Sequence, residues 1–134
     1  MKIIVCVDDR GGMMFNKRRQ SQDYEVRKDI LDMSAGRVCM NEYSLKQFVE
    51  WDNLTAQEDF LDKAGEDDYC FVENLPLEPY KDRINEIIIY HWNRKYPGDK
   101  FFDIDISAGW ELIESSEFVG KAHECIRKER WLRV

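Results

Sequence analysis

Two short runs, Ile3-Ile4-Val5-Cys6-Val7 and Ile87-Ile88-Ile89-Tyr90, constrain this chain more than anything else in it. Each is apolar at consecutive positions rather than at alternate ones, and each is too short for a helix of ordinary length. Side chains of a strand point alternately to its two faces, so a strand without polar alternation has both faces buried. Two such strands imply the interior of a mostly parallel sheet covered by further layers on both sides, which is an α/β architecture.

The rest of the chain supplies those layers. Val26, Ile30 and Met33 recur at helical spacing after Ser21, a residue able to cap a helix, and Gly36 stands where a left-handed carboxyl-terminal cap is expected. The pattern predicts a helix over residues 22–34. A short strand over 37–41 follows, then a helix capped by Ser44 that buries Leu45, Phe48 and Val49. Thr55 and Glu58 have capping-box spacing for a third helix, which would bury Phe60 and Leu61 and stop at Gly65. A strand over 69–73, a short helix around Tyr80 to Ile84 behind Pro76 and Pro79, and the buried strand over 86–92 come next. Beyond Pro97-Gly98, the alternating segments 101–106 and 110–114, turning at Ser107-Ala108-Gly109, read as antiparallel strands, and 123–133 reads as a last strand. No repeat or linker divides the chain, so residues 1–134 are read as one domain.

Charge and cysteine content exclude some functions. The chain carries 27 acidic and 20 basic residues, a formal net charge of −7, which argues against a phosphate-backbone partner because such affinity needs clustered cations. No apolar run approaches the length needed to cross a bilayer. Cys6, Cys39, Cys70 and Cys125 lie far apart, without the paired spacing of a zinc site, and read as free thiols of a reducing, cytoplasmic compartment. No metal is expected.

Several segments, in their order, resemble dihydrofolate reductase. The opening Ile3-Ile4-Val5-Cys6-Val7-Asp8-Asp9 is similar to that family's first strand, and Gly11-Gly12-Met13-Met14-Phe15-Asn16 looks like a compressed form of its mobile active-site loop. Asp23 falls where the family has its buried acid, at the start of the first helix. Glu86-Ile87-Ile88-Ile89-Tyr90-His91-Trp92, Asp99-Lys100-Phe101-Phe102-Asp103-Ile104 and Trp110-Glu111-Leu112-Ile113 resemble later family segments. The resemblance implies a single-domain mixed sheet, mostly parallel with an antiparallel carboxyl-terminal part and helices on both faces.

The departures bear on function. The family holds the NADPH pyrophosphate on a glycine-rich turn, where backbone N–H groups approach phosphate closely. The corresponding Glu73-Asn74-Leu75-Pro76-Leu77-Glu78-Pro79 has no glycine, two carboxylates and two prolines that lack a donor. The family's threonine beside the acid is Tyr90 here. The expected function is therefore binding of a small flat or anionic ligand, nucleotide- or pterin-like, near Arg18, Arg19, Asp23 and Tyr90, without standard reductase chemistry and with no cofactor. Asp23 is the one candidate for a catalytic role. The alternatives are a divergent NADPH-dependent reductase, and an acidic protein that docks on a basic protein partner. Only one of Tyr90 and His91 can face a pocket, and His123 beside Glu124 and Cys125 offers no spacing of nucleophile, base and orienting acid.

Asp8-Asp9-Arg10-Gly11-Gly12 also resembles short bacterial proteins, some labelled ribonuclease Z. That chemistry needs a dense His/Asp cluster around two zinc ions, and the chain has only His91 and His123.

Overall fold

Lys2–Val7 (β1) and Glu86–His91 (β6) lie side by side in parallel, with Ile3 opposite Ile87, Ile4 opposite Ile88 and Val5 opposite Ile89. The computed structural model describes residues 1–134. In chain order the remaining elements are Gly12–Phe15 (β2), Arg18–Arg19 (β3), Tyr24–Ser34 (α1), Val38–Cys39 (β4), Glu42–Leu45 (α2), Phe60–Lys63 (α3) and Tyr69–Phe71 (β5). A 3-10 helix, Glu78–Arg83, then precedes β6, and Lys100–Phe101 (β7), Trp110–Phe118 (β8) and Ile126–Arg133 (β9) complete the chain. The large sheet runs β4-β5-β1-β6-β9-β8, its first four strands parallel and β9 and β8 successively antiparallel. A second, three-stranded sheet runs β3-β2-β7. This is the mixed, mostly parallel α/β fold.

Residue parity on the central strands assigns the two faces. Ile3, Val5 and Val7 with Ile87 and Ile89 pack under Phe60 and Leu61 of α3, Leu77, Ile84 and the small sheet's Met13 and Met14. Ile4 with Ile88 and Tyr90 pack under Val26, Ile30 and Leu31 of α1 and under Phe48. Each fully buried side chain of this kind contributes roughly 1.5–3 kcal/mol of transfer free energy, which is why the sheet interior organises everything else.

Local signals were overridden where tertiary contacts offered better partners. Helix α1 starts at Tyr24, not residue 22, because Asp23 rather than Ser21 is its cap and accepts the Glu25 N–H. At its other end the left-handed exit expected at Gly36 does form, with φ of 74°, and it begins one residue earlier at Ala35, with φ of 52°. The helix expected after Ser44 is displaced to Glu42–Leu45, capped by Asn41 through Ser44 N–H, and Val49 is 80% exposed while Phe48 is buried. The capping box at Thr55 does not form, since Glu58 accepts from Glu42 N–H instead. Residues 12–15, read as loop, form β2. The strand expected over 101–106 shrinks to β7, and β8 runs on to Phe118.

Candidate functional site

Residues 15–24 and 119–123 meet at the amino end of α1, and Asp23 is the centre of that meeting. Its side chain is buried, and both carboxylate oxygens are used. Oδ1 accepts from Glu25 N–H and Lys121 N–H, each at 2.9 Å. Oδ2 accepts from Ala122 N–H at 2.8 Å and lies 2.9 Å from His123 Nδ1. Burial works against the charged form, but the His123 ring and three backbone N–H groups outweigh it and hold the carboxyl at about 2, below its ordinary 3.8. Gly120 makes this approach possible, because a Cβ there would stand 2.8 Å from both Asp23 Cγ and Ile126 Cδ1.

His123 is the residue that sequence reading missed. It is 4% exposed and stacked on Trp92, with ring centroids 4.5 Å apart. Its Nε2 lies 2.9 Å from Ser21 Oγ and 3.2 Å from Tyr96 Oη. The histidine stands 102 residues from Ser21 and 100 from Asp23 in sequence, so no local spacing could have announced the group; the Ser21-x-Asp23 pair was half of the signal.

The two arginines differ. Arg18 is exposed and lines a cleft of about 250 Å³ with Phe15, Asn16, Gln20, Tyr96 and Pro97. Arg19 is half-buried and committed: Nε and Nη2 reach Glu73 Oε2 and Oε1 at 2.8 and 3.1 Å, and the guanidinium lies over the Tyr43 ring. Burial alone would lower its affinity for the proton, yet the Glu73 bonds prevail and raise it. Arg19 and Asp23 share the wall of a second cleft, about 420 Å³, with Tyr24, Arg27, Lys46 and Lys121. Arg27 is clamped by Glu50, whereas Lys46 and Lys121 have no carboxylate partner in the protein. Tyr24 stacks on Trp51 at 5.8 Å with the rings 8° from parallel.

Tyr90 is not brought to either cleft. Even-numbered positions of β6 face α1, and the fully buried Tyr90 donates its hydroxyl to Oδ2 of the partly exposed Asp29 at 2.5 Å. Burial, reinforced by Asp29, pushes that phenol's pKa up. His91, on the opposite face, lies 2.5 Å from Glu129 Oε1, and burial lowers its pKa despite that carboxylate.

Residues 73–79 are filled from within. Glu73 pairs with Arg19 and accepts from Ser44 Oγ. The N–H groups of Leu77 and Glu78 donate to the Asp103 carboxylate at 3.0–3.1 Å. At the other end of the small sheet, Asp8 accepts from Arg10, Gly12 and Tyr96 N–H; these bonds overcome the burial that opposes its charge and lower its pKa. No group of three or more His, Cys, Asp or Glu is placed to hold a metal ion, and the ribonuclease Z resemblance of this segment finds no support. The four cysteines are free thiols, and no helix is long and apolar enough to cross a membrane.

No family model matches the chain, and no curated protein matches it. Among solved structures, dihydrofolate reductase from Enterococcus faecalis, complexed with NADP(H) and RAB-propyl, is similar at a TM-score of 0.67, with 11% identity over 98% of this chain and 95% of that one. The likeness establishes a dihydrofolate-reductase-like fold.

Proposed function

We propose that residues 1–134 act as one reductase-like domain that binds a small anionic ligand with a flat portion in the cleft between Tyr24, Lys46 and Lys121, without standard reductase chemistry. The observation that carries the reading is the pair of uncompensated lysines. In a chain of net charge −7, most cations near this site are neutralised by a carboxylate, yet Lys46 and Lys121 face the same cleft with none. An anion arriving there gains two charge-assisted contacts and meets no opposing free carboxylate, because Asp23 is saturated by its own donors. The Tyr24 ring, held parallel to Trp51, offers a flat wall for a heterocycle. Arg19 and Asp23 shape this wall, Arg18 flanks the adjoining cleft, and Tyr90 supports α1 from below.

The absence of a cofactor in the ordinary manner is supported by the bend at residues 73–79. Asp103 already occupies the N–H donors of Leu77 and Glu78, so a diphosphate would have to displace an internal carboxylate that repels it.

Adenosine 5′-monophosphate, a flat monoanion to dianion, serves as the probe, read by quenching of tryptophan fluorescence. Binding should weaken about fivefold with each of Lys46→Ala and Lys121→Ala, as expected for loss of about 1 kcal/mol per contact, and should weaken further as salt rises. Equal affinity in the double variant removes the cleft as the site. NADPH in a thermal-shift experiment distinguishes the divergent reductase, which would be stabilised by about 2.7 kcal/mol at a hundredfold excess over Kd.

A further inference from the structure

Ser21, His123 and Asp23 stand in line, and we propose that they form a nucleophilic site for acyl transfer, with Ser21 as nucleophile, His123 as its base and Asp23 as the positioning residue. The proton assignment follows from the hydrogen bonds. An ionised carboxylate only accepts, and Asp23 already holds two loop N–H groups and its own helix's N–H, so the 2.9 Å contact to His123 Nδ1 requires the proton on Nδ1. In neutral imidazole that leaves Nε2 as the acceptor, aimed at Ser21 Oγ at 2.9 Å. The base is therefore set in the tautomer that can take the serine proton, and the Trp92 stack fixes the ring plane.

Access to the nucleophile comes from partial exposure between two clefts, neither of which Ser21 itself lines. Ser21 is half-buried and sits on the chain between Gln20, which lines the cleft with Tyr96 and Pro97, and Gln22, which lines the cleft with Lys121. The backbone N–H of Gln22, next after the nucleophile, donates to nothing in the protein and is available to a developing oxyanion. The substrate class is a small carboxylic ester. Ser21 Oγ bonds to the carbonyl carbon as its proton passes to Nε2; the ester C–O bond then breaks and the departing alcohol takes that proton. Water cleaves the acyl-serine by the same proton path, releasing the acid and restoring Ser21. Tyr96 Oη, at 3.2 Å from the same nitrogen, is a competing donor rather than part of the relay.

The reading does not depend on the anion-binding proposal, and a neutral reagent tests it separately. An alkyl fluorophosphonate, incubated with the full chain, should form one O–P bond at Ser21 with loss of hydrogen fluoride, read by intact mass and peptide mapping. Ser21→Ala, whose lost hydroxyl hydrogen-bonds only to His123, should fold normally and take no adduct. His123→Gln should label at least about a hundredfold more slowly. In Asp23→Asn, nitrogen-15 spectra should show the ring proton moved from Nδ1 to Nε2, with a comparable loss of labelling; a purely structural Asp23 would leave the labelling rate of a folded variant unchanged. Tyr96→Phe should label at or above the wild-type rate. No adduct on the wild-type chain under conditions that modify a serine esterase, an undiminished adduct in Ser21→Ala, or an adduct mapped to Tyr96 overturns the proposal.

Discussion

The two halves of the large sheet are built on different physics. In the parallel half, β6 is buried at five of its six positions, and β1 lies beside it with side chains buried on both faces of the sheet. In the antiparallel arm, β8 is exposed at seven of nine positions, and Leu112 and Ile113 are both more than 40% open to solvent. The first half derives its stability from apolar burial. The second is held by its ladder to β9 and by charges across it: Arg130 bridges Glu86 and Glu114, Lys128 reaches Asp29, and Glu129 meets His91. An arm of this kind adds little core, and what it does add is placement. The segment joining β8 to β9 carries Gly120, Lys121, Ala122 and His123 back onto the amino end of α1, where they complete the surroundings of Asp23.

Three perturbations would break or sharpen that contrast. Ile88→Ala in β6, a fully buried position, should cost about 2–5 kcal/mol in urea unfolding, whereas Ile113→Ala in β8 should stay within about 0.5 kcal/mol; similar losses at both would dissolve the distinction. The clasp between the halves should depend on pH. Asp23 has a folded-state pKa of about 2 against an ordinary 3.8, so its contribution is fully present above pH 3.8 and is lost as pH falls through 2. Unfolding measured across that window should lose about 2 kcal/mol attributable to this group, and Asp23→Asn should remove that part of the pH dependence. A flat difference between the two chains from pH 5 to 2 would mean the carboxylate is not selectively stabilised. Smallest of all, Glu114→Ala removes a half-exposed partner of Arg130 and should cost no more than about 1 kcal/mol. A much larger loss would show that the arm's charges act as a cooperative network.

The legibility of the molecule follows the same division. The buried strands were readable because continuous apolar runs admit few alternatives, and the order of elements around them was enough to suggest the fold. Element ends were read less well. Ser21 and Asp23 are both good caps, and only the donors offered by residues 121–123 decide that Asp23 takes the helix end while Ser21 turns to His123. Likewise Thr55-x-x-Glu58 is a sound capping pattern until Glu58 finds the Glu42 N–H. At the site, Arg19 and Asp23 were expected together and do share a cleft wall. Tyr90 was expected beside them, but the pleat of β6 points it into the core under α1.

By itself, the sequence determined the two-faced central strands, the mixed α/β arrangement and the absence of glycine from residues 73–79, because each depends on neighbouring residues whose backbone preferences act locally. Only the tertiary structure decided that Asp103 fills the Leu77–Glu78 donors and that His123 arrives between Ser21 and Asp23. Those contacts join segments 25 to 102 residues apart, and which polar group satisfies which is settled by burial, where an unpaired donor or acceptor is too costly to leave.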